Sequence, residues 1–287
     1  MTTTPDRPDL PMRLRDAFTL LVVALLYLPI VSVLLASMAN TRYLIFPHRV
    51  WSGDAYREAL AQSLTADLHA TSFKIAILVA LLAVALAVPG ALAFARFRWR
   101  GRTLYQRALL LPVFFPQPVL GLALLVGFSA AGIAPDWRTA VFAHLVWVVP
   151  IATLVISIRL YRFDPAQEEA AYDLGATRLQ AFREVTLPAI APGIVSGALF
   201  AFLLSWSNLP LSMYTTGADT TLPEWLYSRM ATNYSPQVPA IAVLSVAASA
   251  LAVVAIVAVR ALRRAARPRP SSSTVASARA PTTRAAS

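Results

Sequence analysis

Six stretches of this 287-residue chain stay apolar over about the length of a bilayer crossing: residues 17–39, 72–94, 108–128, 139–158, 190–209 and 238–259. An α-helix rises about 1.5 Å per residue, so about 20 apolar residues cover the hydrocarbon core of a membrane. Inside that layer the backbone has no water to bond to and must satisfy its own polar groups. The runs therefore predict an all-α membrane protein with six transmembrane helices. Composition agrees: 57% of residues are hydrophobic and 14% are charged, against roughly 25% charged in a soluble domain.

The first run invites a rival reading, because Arg7, Arg13 and Arg15 precede it and Ser37-Met38-Ala39 loosely resembles a signal-peptide cleavage site. Its 23 residues exceed the roughly 7–15 of a signal-peptide apolar core, which favours a retained span. Residues 1–16 form a polar amino-terminal segment, and 17–262 form the six-span domain. Residues 40–70 form a mixed-charge, partly helical connection. The third run holds Pro112, Pro116, Pro118, Gly121 and Gly127, so its helix is expected to be irregular near the inner end.

An even number of spans puts both termini on one side, and the arginines decide which. Nineteen of the 25 basic residues fall on the side of the termini, five of them in the turn Arg96, Arg98, Arg100, Arg102 and Arg107. The other side has six: Arg42, Arg49, Arg57, Lys74, Arg138 and Arg229. The richer side is cytoplasmic by the positive-inside rule. Set between spans, the basic turn reads as a topology determinant and not as a nucleic-acid patch. The tail, 263–287, is rich in Arg, Pro, Ser, Thr and Ala without a core-forming pattern, and predicts disorder with attraction to anionic lipid headgroups.

One cytoplasmic connection, 160–188, carries its own helix punctuation. Asp164 suits an N-cap, Pro165 the first turn, and Gln167 the partner position of a capping box. Gly175 supplies a stop, and Thr177 with Gln180 repeats the capping-box spacing. Pro188 predicts that the second helix ends at or before Leu187. Ala170, Ala171 and Leu174 share one face, and Leu179, Phe182 and Val185 share another. Two short helices with apolar faces, joined by a hinge outside the membrane, suit docking on another protein.

Within this connection, Glu169-Ala170-Ala171, Gly175 and Val185-Thr186-Leu187-Pro188 resemble the "EAA" coupling loop of permease subunits in ATP-binding cassette importers. Val185 stands where that pattern has Ile. Further resemblance runs from about residue 70 to 260, closest to the spermidine/putrescine permease group. It rests on Ala93-Phe94-Ala95-Arg96-Phe97-Arg98-Trp99-Arg100-Gly101, Leu111-Pro112 with Pro116, Val119-Leu120-Gly121, His144 with Pro150, Tyr214-Thr215-Thr216-Gly217, Thr221-Leu222-Pro223 and Tyr227-Ser228. The resemblance implies a type I importer (MetI-like) permease fold in a bacterial inner membrane. It implies as partners a cytoplasmic ATPase dimer seated on the coupling loops, a second permease subunit, alike or different, and a periplasmic solute-binding protein. Glu169, Ala170, Ala171, Gly175, Leu187 and Pro188 would form the ATPase-coupling surface. The implied solute is polyamine-like or another small organic nitrogenous molecule. Polyamine-transporting members carry acidic residues near the end of the fifth span, however, where this chain has Ser207-Asn208.

The residues themselves bound the chemistry. The chain has no cysteine, and its only lysine, Lys74, lies in Phe-Lys-Ile, so no Walker A sequence exists here. The chain is expected to bind no cofactor and to catalyse no covalent step, with ATP and Mg on the partner ATPase. Candidate pathway residues are the intramembrane His144, which could equally be structural, and the stripe Ser205, Asn208 and Ser212 with neighbouring Ser207. An ion-gradient-driven carrier would normally want membrane-embedded Asp or Glu, which the spans lack. A scaffold that recruits a cytoplasmic partner without transport is a second alternative. A channel finds no filter-like sequence to support it.

Overall fold

A computed structural model of the chain describes residues 10–39, 51–232 and 234–265. Every regular element among them is helical: α1 (Leu10–Ser37), α2 (Asp54–Ala61), α3 (Ser63–Ala91), α4 (Arg102–Phe114), α5 (Gln117–Ala130), α6 (Trp137–Tyr161), α7 (Ala166–Asp173), α8 (Arg178–Ala181), α9 (Leu187–Trp206), α10 (Ser212–Thr215), α11 (Leu222–Thr232) and α12 (Gln237–Ala265). Two five-residue π-helical turns, Leu92–Arg96 and Phe182–Thr186, extend α3 and precede α9. The chain divides into two compact units, residues 1–245 and 246–287. Within the second, the described residues continue α12 to Ala265. The expected disorder of the tail falls almost wholly outside the described residues.

Among the described residues five helices are long and apolar enough to cross a membrane, and a sixth crossing needs α4 and α5 taken together. The third run, expected to be irregular, is a sharply bent pair: α4 and α5 meet at 103° across a break of two residues. Phe115 precedes Pro116 and takes an extended conformation, ψ 137°, as the proline ring requires of its predecessor. Pro118 then sits in the first turn of α5, where its missing N–H costs nothing.

The core is a three-helix packing of α3, α6 and α9. Ile75, Val79, Ala83, Ala87 and Ala91 recur every fourth residue along α3 and are buried. A ridge at that spacing interdigitates with its neighbours, and alanine lets the axes approach. On α9, Gly193 and Gly197 perform the same service against α6. A Cβ at Gly193 would lie 2.7 Å from Cγ of Arg159, and one at Gly197 would lie 3.2 Å from Cγ1 of Ile156. In contrast, α1 leaves Leu20, Leu21, Leu25 and Leu26 about two-thirds exposed, an apolar surface suited to lipid.

Candidate functional site

The helical part of the connection 160–188 begins at Asp164, whose carboxylate Oδ1 accepts from the Ala166 amide at 3.0 Å, and α7 follows. No side-chain bond from Gln167 completes a box there. Gly175 ends α7 with φ +87°, a left-handed conformation that favours glycine. Thr177 and Gln180 form the expected capping box: the Thr177 amide donates to Gln180 Oε1 at 2.8 Å, and the Gln180 amide donates to Thr177 Oγ1 at 3.3 Å. The expected stop before Pro188 is overturned. From Ala181 the chain passes through the π turn directly into α9, with Leu187 at helical φ −61° and Pro188 in the first turn. A π turn widens the backbone just where the proline ring would otherwise collide with a preceding carbonyl.

Exposure separates the six residues of the EAA-like pattern into two sets. Glu169, Ala170, Gly175 and Pro188 are exposed, whereas Ala171 and Leu187 are half-buried. Leu174 is 91% exposed, and Tyr172 and Leu179 also present apolar surface. The charged group that turns inward is Glu168. It pairs with Arg96 Nη2 and accepts a hydrogen bond from Thr186 Oγ1. The Arg96 guanidinium also lies over the Phe163 ring, 5.2 Å from its centroid. Sequence reasoning missed this trio. The partners of Glu168 lie 72 and 18 positions away, outside the reach of any local sequence pattern.

Side chains of the basic turn and of α4 bond the end of α3. At the widened end of α3, the carbonyls of Gly90, Ala93, Phe94 and Ala95 each accept a side-chain hydrogen bond. Tyr105 Oη donates to Gly90 O at 3.2 Å, Trp99 Nε1 to Ala93 O at 3.2 Å, Gln106 Nε2 to Phe94 O at 2.8 Å and Arg102 Nη2 to Ala95 O at 3.4 Å. Satisfying those acceptors fixes the carboxy-terminal end of α3 against α4.

The second cluster lies at the carboxy-terminal end of α9. His144 on α6 is 1% exposed, and its ring bridges Ser205 and Ser212, which flank the end of α9 and the start of α10. Ser212 Oγ donates its one hydrogen to Asn208 O at 2.7 Å. It therefore accepts from His144 Nε2 at 3.1 Å, which leaves His144 Nδ1 to accept from Ser205 Oγ at 2.8 Å. The network assigns the neutral Nε2–H tautomer. Asn208 Oδ1 caps the reversal by accepting from the Leu211 amide at 3.0 Å.

His144, Ser205, Asn208 and Ser212 thus face one another in the interior of the subunit, all at most 4% exposed. Ser207 stands apart: it is exposed and donates to Leu203 O on its own helix. Below the node, Thr139 Oγ1 donates to Thr215 O at 2.6 Å, and Gly121 lets α5 approach to where a Cβ would lie 3.1 Å from Pro210 O. The segment from Asn208 to Gly217 is thereby held against both α5 and α6.

Residues 83–270 match the family described as the binding-protein-dependent transport system inner membrane component. The chain belongs to that family. It is 31% identical to the spermidine/putrescine transport system permease protein PotC of Haemophilus influenzae, over 80% of this chain and 89% of that one. It is 34% identical to the putrescine transport system permease protein PotI of Escherichia coli, over 79% of this chain and 84% of that one. The fold resembles a chain of a bacterial transporter involved in import of the acidic polysaccharide alginate, with TM-score 0.61 and 16% identity over 93% of this chain and all of that one. It also resembles a chain of the inward-facing MetNI methionine transporter, with TM-score 0.57 and 17% identity over 71% of this chain and 94% of that one. This binding-protein-dependent permease has the MetI-like importer fold and is an inner-membrane subunit of an importer.

Proposed function

We propose that this permease, paired with a second permease subunit of the same or a related kind, forms the path of a polyamine-like or other small organic nitrogenous solute. The solute would be delivered by a periplasmic binding protein and driven inward by a cytoplasmic ATPase dimer. The observation that carries the reading is the exposed α7–α8 pair: Leu174 stands 91% exposed beside Gly175, on the arginine-rich side of the membrane. Both termini are cytoplasmic on the same count of basic residues. The chain performs no covalent chemistry and holds no cofactor, since ATP and Mg belong to the partner. The kinship with putrescine and spermidine permeases supports the solute class. The path runs past exposed Ser207 at the outer end of α9, with the His144, Ser205, Asn208 and Ser212 node one layer behind it. ATP-driven closure of the ATPases would move α7 and swing the spans by rigid-body rotation.

The test is co-purification from detergent-solubilised membranes of the unaltered chain and of a variant with Glu169 and Gly175 both replaced. An ATP-binding cassette ATPase that accompanies only the unaltered chain supports the reading. Absence of any such ATPase, under conditions that keep comparable complexes intact, overturns it and turns attention to a gradient-driven carrier or a scaffold.

A further inference from the structure

The two π turns are far apart in sequence, yet each ends on a residue that binds the same carboxylate. Arg96 is the last residue of the turn Leu92–Arg96, and Thr186 is the last residue of the turn Phe182–Thr186. Between them, Glu168 projects from α7 and takes Arg96 on one oxygen and Thr186 on the other. The first turn continues α3 and the second leads into α9, two of the three helices that pack the core. Thr186 is wholly buried, and the Arg96 and Glu168 side chains are 22% and 12% exposed. A charge pair so placed is shielded from the screening that makes surface pairs weak.

α7 has few other ways to pull on the spans. Its residues Glu169, Ala170 and Tyr172 and the following Leu174 are exposed, and it has no buried residue of its own. The covalent route runs through Gly175, left-handed at φ +87°, at one end and the capped Asp164–Pro165 turn at the other. A π turn is a register irregularity that can slide or be absorbed along a helix, and such turns recur at functional sites. Arg96 Nη1 is buried without a hydrogen-bond partner, so the cation has a donor to spare when its neighbours shift.

We infer that Glu168, held by Arg96 and Thr186, is the positioning residue through which movement of the docking helix α7 reaches α3 and α9 together. The inference rests on the proposed ATPase docking and adds the joint inside this subunit. Glu169, the acidic residue of the recognisable motif, faces outward toward a docked partner, whereas its neighbour Glu168 faces the spans. A push on α7 is then delivered at two helix ends through a single carboxylate, and the π turns supply the local give.

The experiment uses the intact complex, with Mg-ATP plus vanadate as the probe, and reads backbone hydrogen exchange over residues 207–217 at the outer end of α9 and α10. Four variants are compared with the unaltered chain: Glu168→Gln, Thr186→Val, Arg96→Glu, and the exchanged pair Arg96→Glu with Glu168→Arg. The expected result is a nucleotide-dependent change in exchange in the unaltered complex that shrinks by about threefold or more in the single variants, the scale seen for residues that carry coupling between distant sites. The exchanged pair regains most of it, with the amount of co-purified ATPase constant throughout. Thr186→Val is the mildest change, nearly isosteric, and guards against a result caused by misfolding. Single variants that keep the full nucleotide response overturn the inference, as does an unaltered complex with no response. An unaltered chain that brings down no ATPase overturns instead the docking on which the inference rests.

Discussion

His144 Nδ1 lies 2.8 Å from Ser205 Oγ, and this bond closes the carboxy-terminal end of α9 against α6 deep within the subunit. His144→Phe keeps a ring of similar size but deletes both histidine bonds and leaves Ser205 and Ser212 without that partner. A buried polar group left unsatisfied costs about 1–3 kcal/mol, toward the low end for interhelical bonds in membranes. Thermal unfolding in detergent is expected to show a loss of about 1–2 kcal/mol. His144→Gln, whose amide offers both a donor and an acceptor, should recover part of it. A His144→Phe protein as stable as the unaltered one would show that the network contributes nothing net.

Gly217 sits at φ +61° with the Pro135 carbonyl oxygen 2.1 Å from where a Cβ would be. Gly217→Ala forces both a left-handed alanine and a collision with backbone that cannot rotate away. Backbone strain and overpacking each cost about 1–3 kcal/mol, so a loss of about 2–4 kcal/mol is expected in the same unfolding measurement. Gly127→Ala is the control. That position lies inside α5 with nothing within 4 Å of a new Cβ, and alanine there should be neutral or stabilising by up to about 1 kcal/mol. Equal effects at both sites would refute the account of the Gly217 turn.

The long elements were legible because the membrane imposes length and hydropathy together, and the runs 72–94, 139–158 and 190–209 lie within or close to α3, α6 and α9. Turn chemistry was legible where one residue decides it, as with Gly175 and the Thr177–Gln180 box. Proline was the weak guide. Phe115 before Pro116 broke a helix, yet Val149 before Pro150 did not, because α6 is braced on both sides by buried contacts to α3 and α9. Leu187 before Pro188 stayed helical through a π turn, which sequence periodicity does not reveal. The inward role of Glu168 depended on contacts with Arg96 and Thr186, residues 72 and 18 positions away, and no local pattern encodes such a meeting.

At Gly175 the obstacle to substitution is conformational and not steric, since nothing lies within 4 Å of a new Cβ and φ is +87°. Asparagine tolerates left-handed geometry, while a β-branched residue does not. Gly175→Asn should therefore retain ATPase co-purification near the unaltered level, and Gly175→Val should reduce it several-fold without altering membrane insertion. Equal retention by both variants would mean that the turn geometry is irrelevant to docking.

Because the chain contains no cysteine, single cysteines report local access without a background. Ser207 is exposed at the end of α9, whereas Ser205, Asn208 and Ser212 are at most 4% exposed and tied into the His144 node. Reaching the buried three requires that the segment from Asn208 to Gly217 part from α6, breaking the bonds of Ser212 and Thr215 to that helix. Each 1.4 kcal/mol of opening free energy slows labelling about tenfold, so Ser207→Cys should react with a small aqueous thiol reagent at least about tenfold faster than the other three. The decisive comparison is the same set in the assembled complex during ATP turnover. If the three buried positions gain reactivity there, the node opens onto the path as the spans swing. If they stay protected while Ser207→Cys remains reactive, solute passes outside the node, and His144 serves to hold the fifth span's outer end in place.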